Sequence, residues 1–510
     1  MRVVLRADAS TSIGTGHVMR CLTLARALQD VGAQILFVSR DHAGNLNDHL
    51  AEQAIAVARL PIAANARLPG AAALQANARA LGASWEEDAD ATTRAVARWG
   101  TADWLVVDHY GLDCRWEAAV RPLTRHLMVV DDLADRQHEC DLLLDQNDYP
   151  DRGRRYDLLA PSSSKKLLGP EYALLRPEFV LHRAKMRVRA GTVRRILIFF
   201  GGSNPNNETK KAIDAFLHLG RADIDVDVVV GEANAHRTEI ERACAAHTNL
   251  HYFCQISNMA QLMAAADLAV GGGGVALLER CAMYLPAIVL SLADNQLPGC
   301  QALARRGGAV YVGEASATSA AQIAAALAVA LRAPDLLHHM AQQAGQVTDG
   351  RGTSRVVAHM HRQPLALRPA TADDCESVWR WRNDVAVRQF ATNPAPIDLP
   401  RHRQWYAAVL NDPSRALLIG ENSQGPVGVL RYDIVGQSAT ISVFVVPGRQ
   451  GAGLGTELIQ EGEAWLRERR PEVTQVRAEI GPQNESSIRA FTRAGFVVDR
   501  LVYVREVRRG

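Results

Sequence analysis

The chain has 510 residues, more than one hydrophobic core usually supports, so two to four structural units are expected. Its formal charge of only +2 gives no electrostatic case for a nucleic-acid partner. The eight cysteines form no Cys-x-x-Cys pair and no apolar run reaches the ~18 residues of a membrane span, so composition predicts a cytoplasmic enzyme with no zinc site, disulfide framework or membrane insertion.

The first ligand-binding turn is predicted at residues 14–17. A β-branched strand precedes it, and apolar residues at helical spacing follow it from Val18 to Leu28. Gly14 and Gly16 permit positive φ and close approach of a ligand, while the free amides of the new helix favour an anion. We therefore expect His17 to titrate low, to stay neutral and to act as a general base. A helix-capping or packed histidine is the alternative interpretation of this motif alone.

Three further strands are predicted in the first third of the chain, at residues 34–38, 104–108 and 126–132. Their alternation with helical stretches predicts a parallel, doubly wound sheet. Ligands bind at the carboxyl ends of such strands, so three clusters should share one crevice: residues 14–17, the run Asp108, His109 and Tyr110, and the pair Asp131 and Asp132. The two aspartates point apart on a strand end and no second acidic pair follows at ligand spacing, so no metal site is predicted.

A second cycle of strands and helices begins after Gly-Pro and Arg-Pro breaks between residues 165 and 179, which indicate a crossing between domains. Residues 195–200 form a predicted strand that ends in a glycine turn at Gly201 and Gly202. The chain is therefore expected to contain two Rossmann-like halves.

A diphosphate site is predicted where the strand at residues 267–270 meets four glycines, 271–274. Glycines between a strand and a helix predict a concave row of backbone amides. Glu279, in the helix that follows, is placed to accept hydrogen bonds from a ribose diol. Asn295 follows the next strand and should reach the same edge. A flexible link with a surface glutamate is the alternative.

The pattern changes after a joint near residue 363. Strands predicted at residues 416–419, 427–432 and 438–446 indicate an antiparallel meander. A glycine-rich turn at residues 447–456 then opens a helix and frees amides for phosphate. A short helix closed by glycine is predicted within residues 484–496.

Six motifs in residues 1–355 resemble, in this order, those of the UDP-sugar hydrolases of pseudaminic acid biosynthesis. They are Gly-x-Gly-His-Val-Met-Arg-Cys, Val-Asp-His-Tyr, Val-Val-Asp-Asp, Gly-Pro-Glu-Tyr-Ala-Leu-Leu-Arg, Phe-Gly-Gly-Ser-Asn-Pro and Ala-Asp-Asn-Gln. The resemblance implies an α/β GT-B fold of two Rossmann-like domains, at residues 1–165 and 166–360, that transfers a sugar from UDP to water. Asn204 departs from the family, which usually has aspartate there.

The same resemblance implies roles for single residues. His17 would activate water, with Tyr110 and Asn295 as its companions at the sugar. The residues implied in UDP binding are Gly14, Gly16, Gly202, Gly272, Gly273, Gly274 and Glu279.

Residues 364–510 resemble the GNAT acetyltransferase superfamily, through the loop Gln-Gly-Ala-Gly-Leu-Gly and the helix that begins near Asn484. The resemblance implies an α+β domain that uses acetyl-CoA as co-substrate. The residues implied in acetyl-CoA binding are Val445, Val446, Gln450, Gly451, Gly453, Gly455 and Asn484. Phe491 stands where many members have a tyrosine that protonates the departing thiolate. The motif Trp-Arg-Asn-Asp at residues 381–384 is similar to the branch that acetylates the 4-amino group of a UDP-linked amino sugar.

Together the resemblances imply a bifunctional enzyme of pseudaminic acid biosynthesis that needs no metal. It would hydrolyse UDP-2,4-diacetamido-2,4,6-trideoxy-β-L-altropyranose with anomeric inversion and N-acetylate the 4-amino group of its UDP-sugar precursor, with water and acetyl-CoA as partners. The alternatives are a GT-B glycosyltransferase, or a non-catalytic sugar-nucleotide-binding protein, fused to a protein N-terminal acetyltransferase. The oligomeric state is left open.

Overall fold

The computed structural model describes residues 1–510 except 12, 63–79, 187, 188, 190, 203, 205, 233, 362–364, 392, 423–424, 450–452 and 500–510. It divides into two compact units, Met1–Met360 and His361–Gly510. Within the described residues, no single helix is long and apolar enough to cross a membrane. One pair of helices, Ala320–Leu331 and Pro334–Gly345, has the length and composition of a membrane span, but the two helices meet at a bend of 99°.

Seven strands of the first unit form a parallel sheet in the order β3-β2-β1-β4-β5-β6-β7. They are β1 Arg2–Ala7, β2 Gln34–Arg40, β3 Ala56–Leu60, β4 Ala102–Asp108, β5 Thr124–Val130, β6 Leu142–Asp145 and β7 Lys165–Leu168. The helices described between them are Gly16–Gln29, Asn47–Glu52, Trp85–Trp99 and Cys114–Val120. The strand order reverses between β1 and β4, so their carboxyl ends flank a crevice. The predicted doubly wound sheet is confirmed.

Six strands form a second parallel sheet in the order β10-β9-β8-β11-β12-β13. They are β8 Arg195–Phe199, β9 Asp225–Val230, β10 Leu250–Cys254, β11 Leu268–Gly272, β12 Ala287–Ser291 and β13 Ala309–Glu314. The helices of this half are Pro177–Arg183, Glu208–Leu217, Arg237–Ala245, Met259–Ala265, Val275–Ala282, Leu297–Arg305, Ala320–Leu331, Pro334–Gly345 and Gly352–Met360. Two doubly wound sheets in one unit make up the predicted GT-B fold.

The first half is completed by residues from further along the chain. β7 spans the division predicted at residues 165 and 166 and pairs with β6. The last helix, Gly352–Met360, contributes Val356 and Met360 to the core around β1. Trp104 Nε1 donates a hydrogen bond to the Met360 carbonyl at 2.9 Å. The domain limits 1–165, 166–360 and 364–510 stay predictions.

The second unit contains a five-stranded sheet in the order β14-β15-β16-β17-β18. Its strands are β14 Ala366–Pro369, β15 Arg415–Asn422, β16 Gly425–Val435, β17 Ser438–Val445 and β18 Gln475–Ala478, and its helices are Cys375–Asn383, Val385–Arg388, Leu399–Leu410, Leu454–Arg469 and Glu485–Arg493. The predicted antiparallel meander is β15-β16-β17, whereas β18 pairs with β17 in parallel. Two separate apolar clusters pack this sheet against helices, which confirms an α+β domain.

A buried ion network ties the ends of β1 and β2 to the helix Trp85–Trp99. The Arg6 guanidinium bonds Asp8 at 2.5 and 2.8 Å and Asp88 at 2.6 and 3.0 Å, and all three side chains are fully buried. Arg40 also bonds Asp88 at 2.6 Å. Buried charges are tolerated only when they are paired and hydrogen-bonded. The network therefore fixes the sheet edge from which residues 14–17 emerge.

Removing one carboxylate should show how far the stability of the fold depends on this ion network. Asp88→Asn should lower the free energy of unfolding by about 3–5 kcal/mol, because Arg6 and Arg40 lose the charge that compensates their burial. Asp90→Asn, at an exposed position on the same helix, is the control and should change it by less than about 0.5 kcal/mol. Urea denaturation of both variants measures the difference. Equal stability of the two would contradict the assignment.

Candidate functional site

The two halves of the first unit line a cavity of about 1320 Å³. The first half contributes Gly14, Gly16, His17, Tyr110 and Asp132, and the second contributes Gly202, Gly272, Gly273, Gly274, Glu279 and Asn295. Thus all the residues predicted to act on a UDP-sugar border one space. Asp131, also expected there, is instead buried, bonded to Ala134 N–H and Tyr156 OH.

His17 is held by a carboxylate from the neighbouring strand. The histidine lies in the first turn of the helix Gly16–Gln29, and its Nδ1 is 2.6 Å from Oδ1 of Asp108, the last residue of β4. Burial alone would raise the pKa of Asp108, but the Arg20 guanidinium beside it holds that pKa well below its usual range. An ionised carboxylate can only accept, so Nδ1 carries the proton and Nε2 is the basic nitrogen. A histidine paired in this way with a carboxylate is able to act as a general base.

Sequence reasoning missed the two residues that set this arrangement. It placed Asp108 near the crevice without a role and did not single out Arg20. Arg20 donates from Nε to Asp108 Oδ2 and from Nη2 to Oδ1, both at 2.6 Å. The available signal was spacing, because residues 17 and 20 are three apart on one helix face. The carboxylate partner, 88 residues from Arg20, could be found only from the strand order.

Tyr110 joins the two halves of the cavity. Its hydroxyl donates to Asp132 Oδ1 at 2.6 Å and accepts from Asn295 Nδ2 at 3.1 Å. Its ring meets the His17 ring edge to face, with centroids 4.6 Å apart. Burial, followed by the charge of Asp132, raises the pKa of Tyr110 well above its usual value, so the hydroxyl stays protonated.

The four glycines at residues 271–274 do not act alike, which corrects the prediction of one continuous row of free amides. Gly271 and Gly272 belong to β11, and a Cβ on Gly271 would lie 2.2 Å from the Phe199 carbonyl oxygen, so close strand packing requires that glycine. Gly273 N–H already donates to Gln296 Oε1 at 3.1 Å. The helix Val275–Ala282 begins immediately afterwards, and its first amides are the donors that remain for an anion.

Neighbouring protein atoms can be named for two other predicted UDP contacts, Gly202 and Glu279, and for Asn204. Gly202 faces the first half, where an added Cβ would lie 3.3 Å from Thr15 Oγ1. Glu279 is largely buried, with Oε1 3.6 Å from Arg176 Nη2, and burial raises its pKa. Asn204 Oδ1 accepts from Glu208 N–H at 3.1 Å, at the start of the helix Glu208–Leu217, whose N-cap is Asn207. This contact gives Asn204 a structural role.

Among the residues that the structure describes, no group of three or more His, Cys, Asp or Glu side chains is arranged to hold a metal ion. Independence from metal stays a prediction.

In the second unit, β17 and β18 separate where the acetyl group is expected. Their pairing runs only from Ser438–Gln475 to Ile441–Ala478. Val446 N–H donates to the Val427 carbonyl at 2.8 Å, so it is occupied by β16. Since hydrogen bonding alternates along an antiparallel ladder, Val445 N–H points to the opposite edge, beyond the end of β18. Val445 and Val446 are both implied in acetyl-CoA binding, and of their two amides only that of Val445 faces the gap.

The remaining acetyl-CoA residues are distributed around this gap. Gly453 has φ of +76° and caps the helix Leu454–Arg469, and a Cβ on Gly455 would lie 3.8 Å from Val445 Cγ2. Asn484 caps the helix Glu485–Arg493 through Ser487 N–H at 3.1 Å. Phe491 is buried against Phe496. Gln450 and Gly451 lie outside the described residues.

Two family matches identify a sugar-nucleotide-binding unit joined to an acyltransferase domain that uses acetyl-CoA. Residues 196–354 match the glycosyltransferase family 28 C-terminal domain, and residues 365–497 match the acetyltransferase (GNAT) domain.

Two curated relatives extend these matches. An uncharacterized protein of Methanocaldococcus jannaschii is 22% identical over 83% of this chain and 81% of its own length. The UDP-2,4-diacetamido-2,4,6-trideoxy-beta-L-altropyranose hydrolase of Campylobacter jejuni is 23% identical over 52% of this chain and 81% of its own length. This chain is therefore homologous to that hydrolase over part of its length. A crystal structure of Acinetobacter baumannii MurG covers 70% of this chain and 99% of its own, with 19% identity and a TM-score of 0.48.

The glycine turn can be tested by UDP binding. A Cβ on Gly273 would lie 2.1 Å from Cys300 Sγ, so Gly273→Ala must shift the turn and the helix amides behind it. We expect UDP affinity, measured by calorimetry, to fall by at least about tenfold, or ~1.4 kcal/mol. Gly299→Ala is the control, since Gly299 also lines the cavity but its Cβ would meet nothing closer than Leu277 Cδ2 at 4.0 Å. Equal affinities of the two variants would refute the role of the turn.

Proposed function

We propose that the first unit hydrolyses a UDP-linked acetamido sugar and that His17 is the base. The observation that carries the proposal is the 2.6 Å contact between His17 Nδ1 and Asp108, which leaves Nε2 as the basic nitrogen of a residue that lines the cavity. Homology to the Campylobacter hydrolase supports it. A cavity of about 1320 Å³ is also ample for a sugar nucleotide, since ligand pockets are commonly about 300–1,000 Å³.

The reaction requires one bond to form and one to break. A water oxygen attacks the anomeric carbon as the bond from that carbon to the UDP oxygen breaks, and His17 Nε2 takes the water proton. The negative charge that develops on UDP is dispersed by the first amides of the helix Val275–Ala282. Direct attack by water from the face opposite UDP inverts the anomeric carbon. The proposed substrate is UDP-2,4-diacetamido-2,4,6-trideoxy-β-L-altropyranose, as in the relative's name.

For the second unit we propose acetylation of the 4-amino group of the matching UDP-amino sugar. The amine nitrogen gives up a proton and attacks the thioester carbon, the carbon-sulfur bond breaks, and the thiolate leaves and takes up a proton. Val445 N–H, at the gap between β17 and β18, would polarise the thioester carbonyl. Phe491 has no proton to give, so water or another residue must supply it.

A second candidate for the first unit is glycosyl transfer, which the match to glycosyltransferase family 28 favours. The two candidates differ only in what attacks the anomeric carbon. With water as the sole acceptor, hydrolysis yields free sugar in equal amount to UDP, whereas a transferase would need an added sugar acceptor.

His17→Ala should reduce the rate of UDP release at least about 10²-fold, the lower range for loss of a general base. UDP binding should stay nearly intact, because the base acts in the transition state. His49→Ala is the matched control, as another histidine that lines the cavity, and should retain most of the activity. A His17→Ala variant that keeps more than about a tenth of the rate would exclude this residue as the base.

The order of the two reactions is testable by mass spectrometry. Given acetyl-CoA and a UDP-4-amino-4,6-dideoxy-2-acetamido sugar of L-altro configuration, the protein should form the free diacetamido sugar, UDP and CoA. Without acetyl-CoA, UDP release should be slow, because a charged ammonium would enter a pocket shaped for a neutral amide and lose its hydration. Equally fast release without acetyl-CoA would refute this order. Preferential acetylation of peptide amino termini would overturn the assignment of the second unit.

A further inference from the structure

Arg20 bridges two buried carboxylates that serve different partners. Its Nε and Nη2 bond both oxygens of Asp108 at 2.6 Å, and its Nη1 bonds Asp132 Oδ2 at 3.1 Å. All three residues are buried, with at most 6% of each exposed. Asp108 is the last residue of β4 and Asp132 follows β5, so the guanidinium joins the ends of these two strands at the cavity wall.

Each of the two carboxylates also accepts a hydrogen bond from a side chain that borders the cavity. Asp108 accepts from His17, and Arg20 Nη2 lies 3.3 Å from the same Nδ1. Asp132 accepts from the Tyr110 hydroxyl, which accepts in turn from Asn295 of the second half. A continuous polar chain therefore runs from the histidine to the half that carries the glycine turn.

We propose that Arg20 is a positioning residue for the hydrolysis: by bridging Asp108 and Asp132 it fixes the Nδ1–H form and orientation of His17 and couples them to the Tyr110–Asn295 contact between the halves. This inference rests on the proposed function of the first unit. Arg20 does not itself exchange a proton with the substrate, because a guanidinium does not lose its proton in proteins.

The bridge depends on the shape of arginine as well as on its charge. A guanidinium presents its donors in a rigid planar fork, so one side chain can satisfy a bidentate and a single carboxylate contact together. A lysine ammonium is a point charge on a flexible stem and cannot hold both carboxylates in the same orientations. Arg20→Lys therefore keeps the charge and removes the geometry.

The kinetic test compares Arg20→Lys with a matched control. Arg136→Lys is that control, because Arg136 also bonds two carboxylates, Asp131 and Asp135, yet does not line the cavity. Arg20→Lys should lower kcat by about 10²-fold, the effect of a small misplacement of a catalytic group, with KM changed less than about threefold. A kcat equal to that of the control, or a loss confined to KM, would overturn the proposal.

The second arm repeats Arg20→Lys in the His17→Ala background. Because Arg20 acts through His17, its substitution should change the remaining rate by less than about twofold there. The same large loss in both backgrounds would show that Arg20 acts independently of the histidine. If Arg20→Lys fails to fold, Asp132→Asn replaces it in the kinetic comparison with Arg136→Lys, because it removes the second carboxylate of the bridge while Arg20 and Asp108 remain.

A spectroscopic arm does not require any hydrolysis. Nitrogen-15 NMR of the imidazole, assigned by the signals lost in His17→Ala, should show the Nδ1–H form in the wild type and a growing share of the Nε2–H form in Arg20→Lys. Failure of the wild type to release UDP would overturn the proposed function, and the tautomer shift would still support the positioning role. An unchanged tautomer in Arg20→Lys would overturn the positioning role alone.

Discussion

The candidate site depends on keeping one fully buried carboxylate, Asp108, ionised. Moving such a charge out of water costs several kcal/mol unless excellent geometry compensates it. Arg20 supplies that compensation with two contacts of 2.6 Å, and the carboxylate in turn fixes which nitrogen of His17 is basic. The basic nitrogen at the cavity surface is thus determined by a carboxylate buried behind it. In the same way, the network of Arg6 and Asp88 compensates buried charges at the ends of β1 and β2.

Much of this architecture could be predicted from the sequence because its causes are local. Strands alternating with helices predict a parallel sheet, and a parallel sheet gathers its carboxyl ends at one edge. That reasoning alone brings residues 14–17, Tyr110 and Asp132 to one cavity. The Arg20 contact with Asp132 spans 112 residues and depends on strand order and side-chain reach, which no local pattern encodes. β7 escaped prediction since its four residues, immediately before the Gly-Pro break, were assigned to a crossing between domains.

Glycines in the same turn are required for different structural reasons. In the turn at residues 271–274, the first glycine is required by a neighbouring strand and the third by a buried cysteine, as the distances from an added Cβ show. Sequence reasoning treated all four as ligand contacts because a missing side chain has the same signature in each case. Only the atoms packed around a glycine show whether its missing side chain leaves space for a ligand or allows close packing within the protein.

In the second unit, the candidate acetyl-CoA site lies where the strand β18 ends before its neighbour β17. β18 has only four residues and pairs with half of β17, whereas β16 pairs along the whole of β17. A strand amide whose neighbour stops short must find another acceptor, since buried amides are almost always hydrogen-bonded. Water or a ligand carbonyl can fill that place at Val445, and a thioester carbonyl has the required acceptor. Under the proposed acetyl transfer, the shortness of β18 is therefore the feature that would allow this sheet edge to bind and polarise a carbonyl.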